Sequence, residues 1–177
     1  MARPLKTEPN GDFPATLVAD NLIAGEDRPA ASGQRFEGRS ACNRDDRVVV
    51  AAQSGPEDVE AACRAARDAF VRWSRTPAPV RGEAIGRIGA ILREHKERLS
   101  RVVCREIGKT MREARGEVQE AIDTAAFFQS EGRRLYGQTV PSEMPNKELF
   151  TYRRPLGVAG MITAGNFPIA VPSWKII

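Results

Sequence analysis

"GVAGMITAGNFPIAVPSWKII", residues 157 to 177, sets a continuous apolar run, a small-residue turn and two prolines side by side. Gly157 to Thr163 has no polar alternation, which fits a fully buried parallel strand better than a half-exposed antiparallel one. Ala164 to Pro168 reads as a turn, and Pro168 with Pro172 suits the opening of a helix running on to Ile177. A strand, a tight turn and a helix in that order point to an α/β fold. Within the turn, Asn166 has two readings. Its side chain can cap the helix or satisfy the turn. Alternatively its amide N–H, held at the carboxyl end of a buried strand, can face a carbonyl oxygen that becomes negative during a reaction. The pattern alone leaves both open.

Upstream of this segment, "QTVPS", "EMPNK" and "ELFTYRRP" alternate apolar and polar residues around a turn and predict an exposed hairpin over residues 138 to 156. Before it stand four amphipathic helical patterns in succession. The first opens at Ser54-Gly55-Pro56-Glu57, with Ser54 expected as the cap and Glu57 reaching back, and carries Val59, Ala62, Cys63, Ala66, Phe70 and Trp73 on one stripe. The second places Ile85, Ile88, Ile91, Leu92 and Leu99 on its expected buried side. A third runs through Val102, Val103 and Ile107 to Gly108, a suitable C′ residue. Thr110 and Glu113 form a capping-box pattern for the fourth, whose Ala114, Val118, Ala121, Ile122, Ala125 and Phe128 share a face. Residues 16 to 52 are rich in β-branched runs broken by Gly, Asn and Asp, and predict a hairpin or short meander.

The 177 residues fit one domain by length and hold 41% apolar and 28% charged residues, a composition that permits a packed core. No apolar stretch reaches the roughly 18 residues of a membrane span. The start, "MARPLKTEPNGDFP", lacks the apolar core of a secretory signal, so a cytoplasmic protein with a mobile N-terminal arm is expected. The net charge of +4 comes from 27 basic and 23 acidic residues that alternate along the helices, and no basic cluster with interleaved aromatics argues for nucleic acid.

Three cysteines without CxxC spacing suggest neither a disulfide framework nor a metal cluster. Cys63 and Cys104 fall within helical patterns as small core residues, and nothing around Cys42 specifies a base. His95 lies among Arg, Glu and Lys, without a partner for nucleophilic catalysis. "REIGKT" at Arg105 to Thr110 resembles the end of a phosphate loop, but Val103 stands where that loop needs Gly, and a helix precedes it rather than a strand. No GxGxxG is present.

Four stretches in order carry a specific resemblance: "NLIAGE" from Asn21, "EDVEAACRAARDAFVRWSRTP" from Glu57, "REIGKTMREARGEV" from Arg105 and "YRRPLGVAGMITAGNFPIAVPSWK" from Tyr152. Together they resemble the N-terminal part of the aldehyde dehydrogenase superfamily. The resemblance implies an α/β fold with interwoven coenzyme, catalytic and oligomerisation parts. It divides the chain into an arm (1–20), the N-terminal part of an NAD(P)-binding domain (21–137), an oligomerisation hairpin (138–156), and the first buried strand and helix start of the coenzyme domain (157–177). It implies oxidation of an aldehyde to an acid, with NAD or NADP as cofactor, no metal, and a homo-oligomer. Asn166 would be the side-chain donor of the oxyanion hole. Ile162, Thr163 and Ala164 would lie against the nicotinamide ribose; Phe167, Val171 and Trp174 would line the aldehyde tunnel; Lys175 would stand near the active site, although a solvated or structural lysine fits equally.

The sequence departs from many members at Ala164-Gly165, where they carry Pro-Trp. The wording of the Asn-Phe-Pro segment leans toward members acting on semialdehydes such as α-ketoglutarate semialdehyde. In the family, the nucleophilic cysteine, the general-base glutamate and the coenzyme-phosphate turn lie beyond the segment that Ile177 resembles. The expectation is therefore a fragment of such an enzyme, inactive alone and prone to associate through an unpartnered strand. The alternative is a non-catalytic interaction or oligomerisation module derived from the same fold.

Overall fold

The computed structural model describes residues 15–177, and the first part of the expected N-terminal arm lies outside the described residues. Among the described residues, five short strands are followed by four helices, a two-stranded hairpin and a fifth helix, an α/β arrangement. Strands β1 (Leu17–Ala19), β4 (Arg35–Arg39) and β5 (Arg47–Ala52) form a sheet in the order β1-β5-β4. In it β1 runs parallel to β5 in the register Leu17 to Val49, and β4 runs antiparallel. The last residues assigned to the arm are thus part of a sheet. Strands β2 (Asn21–Ile23) and β3 (Glu26–Arg28) form a separate hairpin. Its turn residues Ala24 and Gly25 both have positive φ, 56° and 83°, as a type I′ turn requires.

Helix α1 (Pro56–Trp73) starts one residue later than the sequence suggests. Gly55 is the cap, and its N–H donates to Asp58 Oδ2 at 2.9 Å, while the Ser54 hydroxyl turns away to Asn21. The other oxygen of the buried Asp58 accepts the N–H of Ala31 at 3.0 Å, so one carboxylate closes the helix start and ties the β3–β4 connection to it. The expected buried stripe of α1 is only partly covered. Val59 and Trp73 are exposed, and Cys63, Ala66 and Phe70 are half-buried. Periodicity identifies an apolar face; it does not supply the element that covers it.

Helices α2 (Ala78–Glu94), α3 (Lys96–Ile107) and α4 (Met111–Glu131) make the packed centre. The face of α2 that meets α4 is centred on glycines, with Ile85 and Leu92 of the expected side half-buried, while Leu99 falls in α3. Gly82 and Gly89 are buried there and Gly86 is half-buried, whereas Ile88 and Ile91 are exposed. The spacing of four and three residues aligns these glycines on one stripe, and the two backbones approach closely along it. From α4, Ala114, Val118, Ala121, Ile122 and Ala125 are fully buried, joined by Val103 of α3; Phe128 lies at the margin, edge-to-face with Phe127. The capping box of α4 forms as read: Glu113 N–H donates to the Thr110 hydroxyl at 3.3 Å, and Thr110 N–H donates to the Glu113 carboxylate at 3.0 Å. Gly108 ends α3 in the left-handed region at φ 75°. The sheet is joined to α3 by the Arg105–Asp46 ion pair and by the Ala41 N–H donating to Glu106 O at 3.0 Å.

Strands β6 (Thr139–Val140) and β7 (Leu149–Phe150) form the expected hairpin, exposed throughout and only two residues long on each side. The strand expected over residues 157 to 163 is not formed. Residues 151–164 carry no helix or strand, and Leu156 and Ile162 are 95% and 100% exposed. The physical reason is pairing: an all-apolar parallel strand needs neighbours on both edges and both faces, and no strand among the described residues pairs with this one. Helix α5 (Ala170–Ile176) follows and packs on α4, with Ala170 and Ser173 buried.

Candidate functional site

The Asn-Phe-Pro turn is built from its C-terminal side. The Val171 N–H donates to Phe167 O at 3.2 Å and the Ser173 N–H to Ile169 O at 3.1 Å, so the turn passes directly into α5. Pro172 sits in the first turn of α5, where the missing N–H costs nothing. The Ser173 hydroxyl donates to Ala170 O at 2.6 Å.

The anchor is Glu117 of α4, whose side chain is 0% exposed. Its Oε1 accepts the N–H of Ile169 at 2.7 Å and that of Ala170 at 3.3 Å; its Oε2 accepts Lys109 Nζ at 2.6 Å. A buried carboxylate is tolerable only when paired and hydrogen-bonded, and here three donors surround it. Two of them are N–H groups at the start of α5, which lack intrahelical partners. The same Lys109 ammonium lies 3.6 Å from the centroid of the Phe167 ring, so one cation holds both the carboxylate and the aromatic face.

Neither Lys109 nor Glu117 was singled out from the sequence. Lys109 fell with the phosphate-loop reading. Glu117 had a legible signal: it stands between Ala114 and Ala121 at helical spacing, an acid on the apolar stripe of α4.

Around this anchor the sequence-derived residues are distributed unevenly. Asn166 lies in the turn, exposed, one residue before the clamped Phe167. Val171 is half-buried, and Phe167, Trp174 and Lys175 are exposed along the turn and α5. Ile162, Thr163 and Ala164 lie in the unpaired segment and are exposed. The structure therefore brings together Asn166, Phe167 and the start of α5, and leaves the residues expected at the nicotinamide ribose without a surface around them.

The cysteines give no activated thiol beside this turn. Cys104 is half-buried in α3, its thiol donating to Met111 Sδ at 3.2 Å, and burial pushes its pKa up, toward the neutral form. Cys42 is exposed next to Gly108, and Cys63 belongs to α1. Among the described residues no cluster of three or more His, Cys, Asp or Glu could hold a metal, and no helix is long and apolar enough to cross a membrane.

The sequence model of the aldehyde dehydrogenase family matches residues 30–177. The chain belongs to the aldehyde dehydrogenase family. Among curated relatives, an alpha-ketoglutarate semialdehyde dehydrogenase of Haloferax volcanii is 36% identical over 161 residues, covering 91% of this chain and 33% of that protein. A putative aldehyde dehydrogenase family 7 member A1 homolog of Dictyostelium discoideum is 44% identical over 128 residues, covering 72% of this chain and 25% of its own length. Among solved structures, an NADP-dependent enzyme of Escherichia coli superposes with a TM-score of 0.84 at 31% identity over 88% of this chain and 32% of that one. A betaine aldehyde dehydrogenase of Staphylococcus aureus in complex with NAD+ gives a TM-score of 0.83 at 28% identity, over 89% of this chain and 32% of that one. The chain spans a quarter to a third of the length of these proteins.

Proposed function

We propose that these 177 residues provide the oxyanion-donor turn of an NAD(P)-dependent aldehyde dehydrogenase, with Asn166 as the donor. The observation that carries this reading is the anchored turn itself: Asn166 stands exposed at the tip of a family-matched segment whose next residues are fixed to α4 through Glu117 and Lys109. An amide N–H held in place stabilises charge developing on a carbonyl oxygen because it need not reorganise as the reaction proceeds. Phe167, Val171 and Trp174 would offer the aldehyde an apolar wall, and the backbone at Ile162 to Ala164 would meet the nicotinamide ribose once the segment is paired. The coenzyme would supply the hydride acceptor. Lys175, exposed on α5, would stand near the reacting centre.

None of the three cysteines stands at this turn as a nucleophile: burial disfavours the Cys104 thiolate, Cys42 lies exposed beside Gly108, and Cys63 belongs to α1. The 177 residues alone are therefore inactive. Substrates of the semialdehyde class fit the relatives from Haloferax volcanii and Bacillus subtilis, which are named for that class. The exposed β6–β7 hairpin would pair with a second subunit of the complete protein, since its open edges offer unpaired backbone groups.

The test compares two proteins for aldehyde-dependent NADH or NADPH formation. One is the purified 177-residue chain; the other is a chimera in which this chain replaces the matched third of the Haloferax volcanii relative. The expected result is no turnover by the chain and turnover by the chimera. Turnover by the chain alone, or a folded chimera without any, would overturn the reading.

A further inference from the structure

We propose that Lys109 and Glu117 are positioning residues that set where Asn166 stands, an inference that rests on the oxyanion reading above for its consequence but not for its geometry. Three observations carry it. The Glu117 carboxylate is wholly buried and spans 52 residues of sequence to receive the Ile169 N–H at 2.7 Å, with Ala170 N–H at 3.3 Å on the same oxygen. Lys109 then makes two contacts with one ammonium group, 2.6 Å to Glu117 Oε2 and 3.6 Å to the centre of the Phe167 ring. Finally, the segment before the turn, residues 151–164, has no helix or strand to hold it.

In these 177 residues the turn is held from its C-terminal side. Residues 167, 169 and 170 are each fixed to the Lys109–Glu117 pair, and Asn166 is the next residue back along the chain. A buried ion pair is poor evidence for stability, because apolar residues of similar volume often serve as well. What apolar residues cannot do is receive two backbone N–H groups at defined angles and hold a cation over a ring. The pair supplies geometry for α5 and for the turn before it. Lys109 comes from the α3–α4 connection and Glu117 from the second turn of α4, so both side chains that hold the turn are placed by the N-terminal end of α4.

The decisive variants are Lys109→Met, which keeps the length and removes the charge, and Lys109→Arg, which restores a cation able to pair and stack. In the 15N-labelled 177-residue chain carrying Leu156→Ser and Ile162→Ser to limit association, Lys109→Met is expected to shift and broaden the Asn166 side-chain amide and the backbone amides of residues 166, 167 and 170. The amides of Val103 and Ile122 in the α3–α4 core are expected to stay in place. Lys109→Arg is expected to return the turn resonances toward those of the parent. Glu117→Gln should repeat the Lys109→Met pattern; if it does not fold, the lysine pair alone decides.

Unchanged Asn166 and Phe167 signals in Lys109→Met, or no recovery in Lys109→Arg, would overturn the proposal. In the chimera, Lys109→Met is expected to lower kcat about ten-fold to a hundred-fold with KM unchanged, the signature of a displaced reacting geometry. An Asn166→Ala chimera with undiminished kcat would defeat the oxyanion reading, while the resonance changes would still establish the positioning.

Discussion

Gly82 of α2 lies against the backbone carbonyl of Gln129 in α4, so close that a Cβ at position 82 would overlap the carbonyl oxygen. Gly86 and Gly89 continue the contact: a Cβ at 86 would meet the Gln129 side chain at 2.5 Å, and one at 89 would meet Ala125 Cβ at 2.9 Å. The helices of the packed centre are thus joined by absent side chains on one partner. Gly116 of α4 has open space around it. Gly82→Ala is expected to lose about 1–2 kcal/mol, since overpacking outweighs the gain in helix propensity. Gly116→Ala is expected to gain about 0.5–1 kcal/mol. Urea denaturation of both variants measures the pair, and equal effects would contradict the packing described.

Asp58 joins two parts of the chain through one carboxylate, receiving Gly55 N–H and Ala31 N–H on different oxygens. Asp58→Ala leaves both donors without that acceptor and is expected to cost about 2 kcal/mol, whereas Asp58→Asn keeps one acceptor and costs less. Hydrogen exchange at the Ala31 amide should accelerate in the alanine variant; an unaltered rate there would exclude the tie.

These two features mark where sequence reading succeeds and where it stops. The Thr110–Glu113 box, the Gly108 helix end and the apolar stripe of α4 were legible because each depends on residues within a few positions of one another. The glycine stripe of α2 was not: glycine carries no hydrophobic signal, so the isoleucines drew the expected face toward Ile88 and Ile91, which are exposed. Asp58 displaced Ser54 and Glu57 because its second partner, Ala31, lies far away in sequence. At the site, Asn166 was legible as the turn residue, but its Lys109–Glu117 anchor depends on a contact between residues 52 apart. The strand at residues 157 to 163 was read from composition, and composition does not provide partners.

Among the described residues, four carboxyl groups have pKa values lowered in the folded chain: Glu37 by its hydrogen bond from Arg47, Asp46 from Arg105, Glu97 from Arg115, and Glu113 from the Thr110 hydroxyl and N–H. A lowered folded value means that the unfolded state binds protons first as pH falls. Their stabilisation is complete above the unfolded values of about 4 and is lost progressively below them, through each lowered value. The denaturation midpoint is therefore expected to fall between pH 5 and pH 3, taken as roughly bracketing that window. Asp46→Asn should show a smaller fall, because Arg105 then has no titrating partner there; an identical fall would remove Asp46 from the account.

Leu156, Met161 and Ile162 stand exposed in a segment with unpaired backbone, as do Trp174 and Ile176 of α5. Such surface favours association. Light scattering of the purified chain is expected to show concentration-dependent species larger than a monomer, reduced in Leu156→Ser/Ile162→Ser without loss of helix content. A monomer at all concentrations would contradict this.

Asn166 is proposed as the donor to the developing oxyanion. Its most direct test is kcat of the Asn166→Ala chimera with the Haloferax volcanii relative, measured with saturating coenzyme and aldehyde. The account predicts a fall of about 10²–10³ with KM little changed. An unchanged kcat in a folded Asn166→Ala chimera would contradict it.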